Sequence, residues 1–359
     1  MSRVYNFSAG PAMLPELVLE RAKADMLEYK NTGQSVMEMS HRSPEFFEIL
    51  NECKTNIMDL LQISSDYHVL FIQGGAFLQF SMIPLNLSFN KVQIIDSGEW
   101  TRKAFIEHQK VVNTEIVCSS EKDTYSYIPK TQLTDFDQKA DYLYICQNNT
   151  IFGTKYSKLP ECGSLPLVSD VSSMIFSEPM DISKYNLLFA GTQKNMGMAG
   201  VCVVILKKSW FKEKRENLPS MLNYQNYINT DSLFNTPPTY ALYLCNLVCL
   251  WLKEKIGGLS NMQNINQEKA GLLYDFLDES KFFKSLVNKE DRSLMNITFA
   301  CKSKELDLKF VNEATNKGLI NLAGHRIAGG MRASLYNGMP LDGVKTLIDF
   351  MKDFEVQYG

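Results

Sequence analysis

Cationic excess is missing from this chain, and so is any paired spacing of its cysteines. Across 359 residues, 37 lysines and arginines meet 40 aspartates and glutamates, for a formal net charge of -3. Phosphate-backbone affinity needs clustered positive charge, so a general nucleic-acid binder is excluded and any anion recognition has to be local. The eight cysteines, Cys53, Cys118, Cys146, Cys162, Cys202, Cys245, Cys249 and Cys301, are scattered through mostly apolar runs with no C-x-x-C pair. They read as reduced core residues of a cytoplasmic protein rather than a disulfide frame or a zinc site. No apolar run is long enough to cross a bilayer. The start, Met1 to Ser8, has neither the basic segment nor the apolar stretch of a signal peptide. The expectation is a soluble, intracellular protein. Repeats and low-complexity tracts are absent, and the missing G-x-G-x-x-G argues against a dinucleotide-dependent dehydrogenase.

What is present is an alternation of helical periodicity with short apolar runs. Strands are expected at His68 to Ile72, Val92 to Ile95, Tyr142 to Cys146, Leu165 to Val168, Leu187 to Ala190 and Val201 to Leu206. Most are near-continuously apolar, as strands covered on both faces are. Helix-length stretches such as Trp100 to Lys110 lie between them, which predicts an α/β fold with a mainly parallel sheet flanked by helices. After Pro237-Pro238 a helix is expected from Thr239 to about Lys255, stopped by Gly257-Gly258. Helices at Asn264 to Leu277, Glu305 to Asn316 and Leu341 to Phe354, with strands at Leu294 to Phe299 and Met331 to Tyr336, form an α+β tail. The expected division is a large domain over 16–256 and a smaller one made of 1–15 and 257–359.

Lys194 follows the strand Leu187 to Ala190 through the turn Gly191-Thr192-Gln193. A lysine there is either an ordinary loop residue or a partly desolvated amine, whose lowered pKa leaves it free to bond an aldehyde. Asp170 closes the strand from Leu165. It is either a helix cap before Val171-Ser172-Ser173 or a carboxylate paired with a buried cation such as a protonated pyridine nitrogen. The two together favour a pyridoxal-type site. Gln73-Gly74-Gly75-Ala76, directly after a strand, offers backbone N–H groups and a helix start to a phosphate. Ser40-His41-Arg42 and Gly324-His325-Arg326, with Arg332 beyond, supply arginine and histidine for a substrate bearing two acidic groups.

These residues fall into an ordered set. Asn6-Phe7-Ser8-Ala9-Gly10-Pro11-Ala12, Met39-Ser40-His41-Arg42, Gln73-Gly74-Gly75, Ser169-Asp170-Val171-Ser172-Ser173, Ala190-Gly191-Thr192-Gln193-Lys194-Asn195, Phe234-Asn235-Thr236-Pro237-Pro238-Thr239, and Gly324-His325-Arg326 leading to Gly329-Gly330-Met331-Arg332-Ala333-Ser334 follow one another. In that order they resemble the phosphoserine aminotransferase family, fold-type I enzymes that use pyridoxal 5'-phosphate. The resemblance spans nearly the whole chain. It implies that Lys194 bonds the cofactor aldehyde, that Asp170 contacts the ring nitrogen and that Trp100 stacks on the ring. Ala76 and Phe77 would give backbone N–H groups to the phosphate, with side chains from Thr150 and Gln193. Asn235 and Thr236 would reach the cofactor phosphate of a neighbouring subunit, so a homodimer is implied. Arg332 would hold the substrate α-carboxylate, while His41, Arg42, His325 and Arg326 would face its distal anion.

The implied reaction is reversible transfer of the amino group from L-glutamate to 3-phosphohydroxypyruvate by ping-pong kinetics, giving O-phospho-L-serine and 2-oxoglutarate for serine biosynthesis. Activity on 4-phosphohydroxythreonine in pyridoxine biosynthesis is a further implied role. Two departures from the family pattern stand out: Asn149 and Phe152, where many relatives carry an acidic residue and His or Asp, and Ala76-Phe77-Leu78, where some carry arginine or more glycine. A related alanine–glyoxylate aminotransferase would have little use for so many anion-binding residues. A cysteine desulfurase needs a cysteine on an exposed loop, and a cofactor-sensing regulatory module needs an extra binding segment; neither is apparent.

Overall fold

The computed structural model describes residues 3–211 and 215–359; residues 1–2 and 212–214, which fall inside the expected domain spans, lie outside the described residues. The chain opens with β1 (Tyr5–Asn6), α1 (Glu16–Ala24) and α2 (Pro44–Leu61). An α/β stretch follows: β2 (Tyr67–Gln73), α3 (Gln79–Leu87), β3 (Lys91–Asp96), α4 (Glu99–Gln109), β4 (Asn113–Ser119), β5 (Tyr142–Cys146), β6 (Leu167–Asp170), β7 (Leu187–Gly191) and β8 (Val201–Lys207). Then come α5 (Tyr224–Asn229), α6 (Thr239–Trp251), α7 (Leu259–Glu279), β9 (Lys284–Ser285), β10 (Asn296–Ala300), α8 (Lys304–Asn316), β11 (Leu319–Ile320), β12 (Met331–Ser334) and α9 (Leu341–Tyr358).

Seven strands form one sheet in the order β2-β8-β7-β6-β5-β3-β4. Only β8 runs against its neighbours, pairing antiparallel with β2 and β7 while the other pairs are parallel. The expected mainly parallel sheet is therefore present, as a mixed one. Alternate residues of β2 show why its sequence is continuously apolar: Val69 and Phe71 enter the core under α2 and α6, Leu70 and Ile72 the core under α3 and α4. β4 escaped the sequence reading because, as an edge strand with Asn113 and Glu115 exposed, it lacks that continuity.

A second sheet, β12-β10-β9, is antiparallel and packs with α7, α8 and α9 around its own apolar cluster. Phe7 joins this cluster, and β1 pairs in parallel with β11, tying the N-terminal residues to it. α7 starts in the first core with Leu259 and Met262 and ends in the second with Ala270, Leu273 and Leu277. It begins five residues before the expected Asn264, since Gly258 sits directly before it as its N-cap. The α6 helix stops at Trp251, short of the expected Lys255, and the next turn, Leu252–Ile256, is a π-turn that ends on Gly257 at φ 80°. β6 starts at Leu167 rather than Leu165, after Pro166. Six of the cysteines are buried, but Cys118 and Cys162 are only half-buried, so the expectation of core cysteines holds for the six. Among the described residues no helix is long and apolar enough to cross a membrane.

The smaller core is built on aromatic rings. Phe310 lies 5.0 Å from Phe350, 5.2 Å from Phe354, 5.5 Å from Phe283 and 5.8 Å from Phe299 between ring centroids. Phe310→Ala is expected to cost about 3–5 kcal/mol in denaturant unfolding, the range for emptying an aromatic core site. A loss under about 1 kcal/mol would contradict this packing.

Candidate active site

Parallel strands deliver their carboxyl ends to one edge of a sheet, and ligands of open α/β sheets bind outside that edge. The residues that follow β2, β3, β5, β6 and β7 meet there around a cavity of about 360 Å³. Its lining includes Gly75, Ala76, Phe77, Trp100, Thr150, Asp170, Gln193, Lys194, His325 and Arg332.

Lys194 lies in the connection between β7 and β8, and the backbone there is strapped down. Thr192 N–H donates to the Val201 carbonyl at 3.0 Å, Gly191 N–H to Ser172 Oγ at 3.1 Å, and Ala12 N–H to the Gln193 carbonyl at 2.9 Å. Gly10 takes φ 142°, a backbone conformation that favours glycine, and a Cβ there would meet Lys194 Cγ at an ordinary 3.5 Å. The Lys194 ammonium is buried and donates to Thr150 Oγ1 at 2.8 Å. Burial lowers its pKa; the nearby Asp170 charge acts in the opposite direction.

Asp170 ends β6, is 5% exposed, and accepts from Ser172 N–H at 2.9 Å through Oδ1. That is the cap-like contact foreseen from the sequence, although Val171 to Ser177 form turns and not a helix. Burial raises the Asp170 pKa, with Lys194 and the Ser172 contacts opposing. No salt bridge joins Lys194 to Asp170 among the described residues, so the two charges share the cavity without direct contact.

Trp100 is aimed by the start of α4. Thr101 Oγ1 accepts from the Ser97 and Gly98 N–H groups at 3.1 Å and donates to Asp96 Oδ1 at 3.0 Å, and Arg102 Nε pairs with Asp96 at 2.8 Å. The indole ring then lies with its centroid 5.9 Å from Lys194 Nζ, and its buried N–H has no partner among the described residues. Ala76 and Phe77 open a helical turn behind Gly75, so their N–H groups precede the first intrahelical acceptor. Arg332, on β12, donates to the Thr150 carbonyl at 3.2 Å, and its buried Nε is also without a partner. Burial and the charge of Arg332 lower the pKa of His325, favouring its neutral form.

Pyridoxal 5'-phosphate fits these residues. A buried carboxylate without a cation in contact suits a protonated ring nitrogen, an amine of lowered pKa suits its aldehyde, and free N–H groups at a helix start suit its phosphate. Some expected residues are not brought to this cavity: His41, Arg42, Arg326, Asn235 and Thr236 do not line it. They lie half-buried or exposed at the surface, with Asn235 Nδ2 bonded to Gln73 Oε1 at 2.6 Å. Asn149 and Phe152 do not line it either; they stand behind Trp100, Phe152 packing on Tyr125 at 4.7 Å. Residues the sequence reading passed over include Ala9, Phe80 and Cys146. Cys146 had a usable signal, since it ends its strand as Asp170 does and pairs with it in register.

With this geometry in place, comparison with known proteins identifies the class. Residues 4–347 match the family model described as aminotransferase class V, and the chain is a pyridoxal-phosphate-dependent transaminase. Phosphoserine aminotransferase of Bacillus cereus is 48% identical over 359 residues, 99% of each chain. The structure of the enzyme from Bacillus circulans subsp. alkalophilus superposes with TM-score 0.96 at 42% identity, covering 99% of both chains. The pyridoxal-phosphate-bound enzyme of Trichomonas vaginalis superposes with TM-score 0.92 at 36% identity, covering 98% of this chain and 100% of that one. This chain belongs to the phosphoserine aminotransferase family.

The lowered Lys194 pKa is measurable on cofactor-free protein. Competitive acetylation followed by peptide mass spectrometry should give Lys194 a titration midpoint below 10.5, while the exposed Lys158 keeps an ordinary or higher one. The neutral fraction of Lys194 then exceeds that of surface lysines at any pH below its midpoint. Equal midpoints would remove the electrostatic argument for this amine.

Proposed function

We propose that this chain transfers the amino group reversibly between L-glutamate and 3-phosphohydroxypyruvate, giving 2-oxoglutarate and O-phospho-L-serine. The observation that carries this reading is that Arg332, whose buried Nε has no partner among the described residues, lines the same cavity as Lys194. Both residues converge on Thr150, one at its carbonyl and one at its hydroxyl. A carboxylate bound by that guanidinium would present its Cα beside the lysine amine.

Bound in the cavity, pyridoxal 5'-phosphate supplies an aldehyde to carry nitrogen and a cationic ring to take up electron density from the substrate Cα. The residues supply the rest. Lys194 Nζ, its pKa lowered by burial, would serve as the base that removes the Cα proton and then as the acid that delivers it to the former aldehyde carbon of the cofactor. Asp170 stays an anion when a positive ring nitrogen faces it, because that charge offsets the burial that otherwise raises its pKa. Trp100 covers one side and excludes water. The Gly75 to Phe77 turn anchors the phosphate, with Thr150 and Gln193 beside it. Arg332 orients the α-carboxylate, and His325, with His41, Arg42 and Arg326, meets a distal phosphate or carboxylate.

Since His41, Arg42, Asn235 and Thr236 sit away from their own chain's cavity, the same reading requires a homodimer in which they serve the neighbouring one. It also takes 16–256 as the cofactor-binding domain, with 1–15 and 257–359 as the smaller domain, and a cytoplasmic setting. The distal cations would accept 4-phosphohydroxythreonine as well, since it presents the same pair of anionic ends.

Purified holoenzyme should show a visible absorption band that L-glutamate or O-phosphoserine converts to the amine form and that L-alanine leaves in place. Lys194→Ala should lose both the conversion and turnover. Arg332→Lys should lower kcat/KM for both substrates by ~10²-fold, as loss of a buried charged contact worth about 2–5 kcal/mol implies. Conversion by alanine but not by O-phosphoserine would overturn the substrate assignment.

A further inference from the structure

Lys269 is a buried lysine that the chemistry above does not use. It lies on α7 with no exposed surface, and its Nζ donates to three main-chain carbonyls: Leu335 at 3.1 Å, Tyr336 at 2.9 Å and Met339 at 3.1 Å. An ammonium has three protons, so this set satisfies it completely. Burial pulls its pKa down to about 7, and the three carbonyls favour the charged form.

The loop that Lys269 gathers, Leu335 to Met339, reaches both sides of Lys194. On one side Asn337 N–H donates to Asn195 Oδ1 at 3.0 Å, and Asn195 is the residue after Lys194. Asn337 Nδ2 donates to the Phe176 carbonyl at 2.9 Å, while Asn195 Nδ2 donates to that of Ile175 at 3.0 Å. On the other side Tyr336 Oη donates to the Ala9 carbonyl at 2.9 Å, and Gly10, the next residue, lines the same cavity as Lys194. Asn266, one turn before Lys269 on α7, adds bonds to Asn337 Oδ1 at 2.9 Å and to the Ser177 carbonyl at 3.0 Å. Upstream, the loop continues directly from β12, the strand that carries Arg332.

We propose that Lys269 is a positioning residue for the transamination site: by gathering the carbonyls of Leu335, Tyr336 and Met339 it sets, through Asn337 and Tyr336, the placement of Lys194 against Arg332. Such a residue touches neither substrate nor cofactor. Its removal takes one donor from each of three carbonyls, that of Tyr336 keeping the Met339 N–H at 2.9 Å, and the loop moves to find partners. The two ends of the site then lose their relative registration. The inference rests on Lys194 being the residue that bonds the cofactor.

The test compares holoenzymes of wild type, Lys269→Met, Lys269→Arg and Leu347→Ala, the last a destabilising control in the same apolar cluster that removes none of these hydrogen bonds. For each, the visible band is titrated against pH, and kcat and KM for glutamate are measured separately. Lys269→Met should move the midpoint of the band by about 0.5 pH units or more and lower kcat by ~10- to 100-fold, beyond the change in KM. Lys269→Arg, which keeps charge and donors, should recover part of both effects, and Leu347→Ala should leave the midpoint in place. If Lys269→Met does not fold, Asn337→Ala cuts the same connection one step later and should shift the midpoint too. A folded Lys269→Met or Asn337→Ala enzyme with the wild-type midpoint and no greater loss of kcat than the control would overturn the proposal. A wild-type enzyme with no visible band would instead defeat the Lys194 assignment on which it rests.

Discussion

Two opposite charges buried in one cavity without touching constrain everything built around them. An isolated buried ion costs several kcal/mol, and a pair recovers that cost only with good geometry. Here Asp170 has one backbone N–H at Oδ1 and Lys194 has the Thr150 hydroxyl, so neither is fully compensated by protein. The consequence is a pair of groups whose pKa values are pushed toward neutrality from both sides. Ordinary packing would select against such an arrangement. It persists because the surrounding hydrogen bonds hold both groups in place, and it suits a ligand that brings a positive ring nitrogen to one and an aldehyde to the other.

Sheet direction makes this arrangement reachable. Parallel strands put Gln73, Asp96, Cys146, Asp170 and Gly191 at the same edge, so the connections after β2, β3, β5, β6 and β7 open toward one volume. The antiparallel β8 adds a second function. Because β7 and β8 form a hairpin-like pair with Gly191 opposite Cys202, the connection carrying Lys194 is closed at both ends by the ladder. A lysine on an open loop would have no such registration, and a shift of about 1 Å at a reacting group is enough to cost a large factor in rate.

The sequence made much of this legible and for a clear reason. Strands covered on both faces are continuously apolar, so β2, β3, β5, β7 and β8 were visible as runs, whereas edge strand β4 alternates and was passed over. Strand ends pointed to Asp170 and Lys194 because polar residues stand there against an apolar background. Lys269 gave no such signal: it sits mid-helix among polar residues, and its acceptors are carbonyls 66 to 70 residues further on. Nor could sequence order say which cavity His41, Arg42, Asn235 and Thr236 serve. Their place on the surface of a single chain is a matter of tertiary geometry, not of local pattern.

The departures at Asn149 and Phe152 also change meaning once they are located. Neither lines the cavity. Asn149 Nδ2 donates to Thr154 Oγ1 at 2.9 Å and to Ser97 Oγ at 3.3 Å, so it braces the turn that leads into α4 and Trp100. A Cβ on Gly98 would come within 2.8 Å of Asn149 Oδ1 and 3.4 Å of Phe152, which shows how closely that turn is backed. Phe152, Tyr125 and Ile151 form a small apolar cluster on which both Trp100 and Ala328 pack. Ala328 belongs to the turn closed by its N–H on the His325 carbonyl at 3.0 Å. A polar residue in place of Phe152 would therefore act from behind, through the seating of Trp100 and of the His325 turn together, and not by contact with substrate. The cluster couples the seating of Trp100 on one wall of the cavity to that of the His325 turn on another.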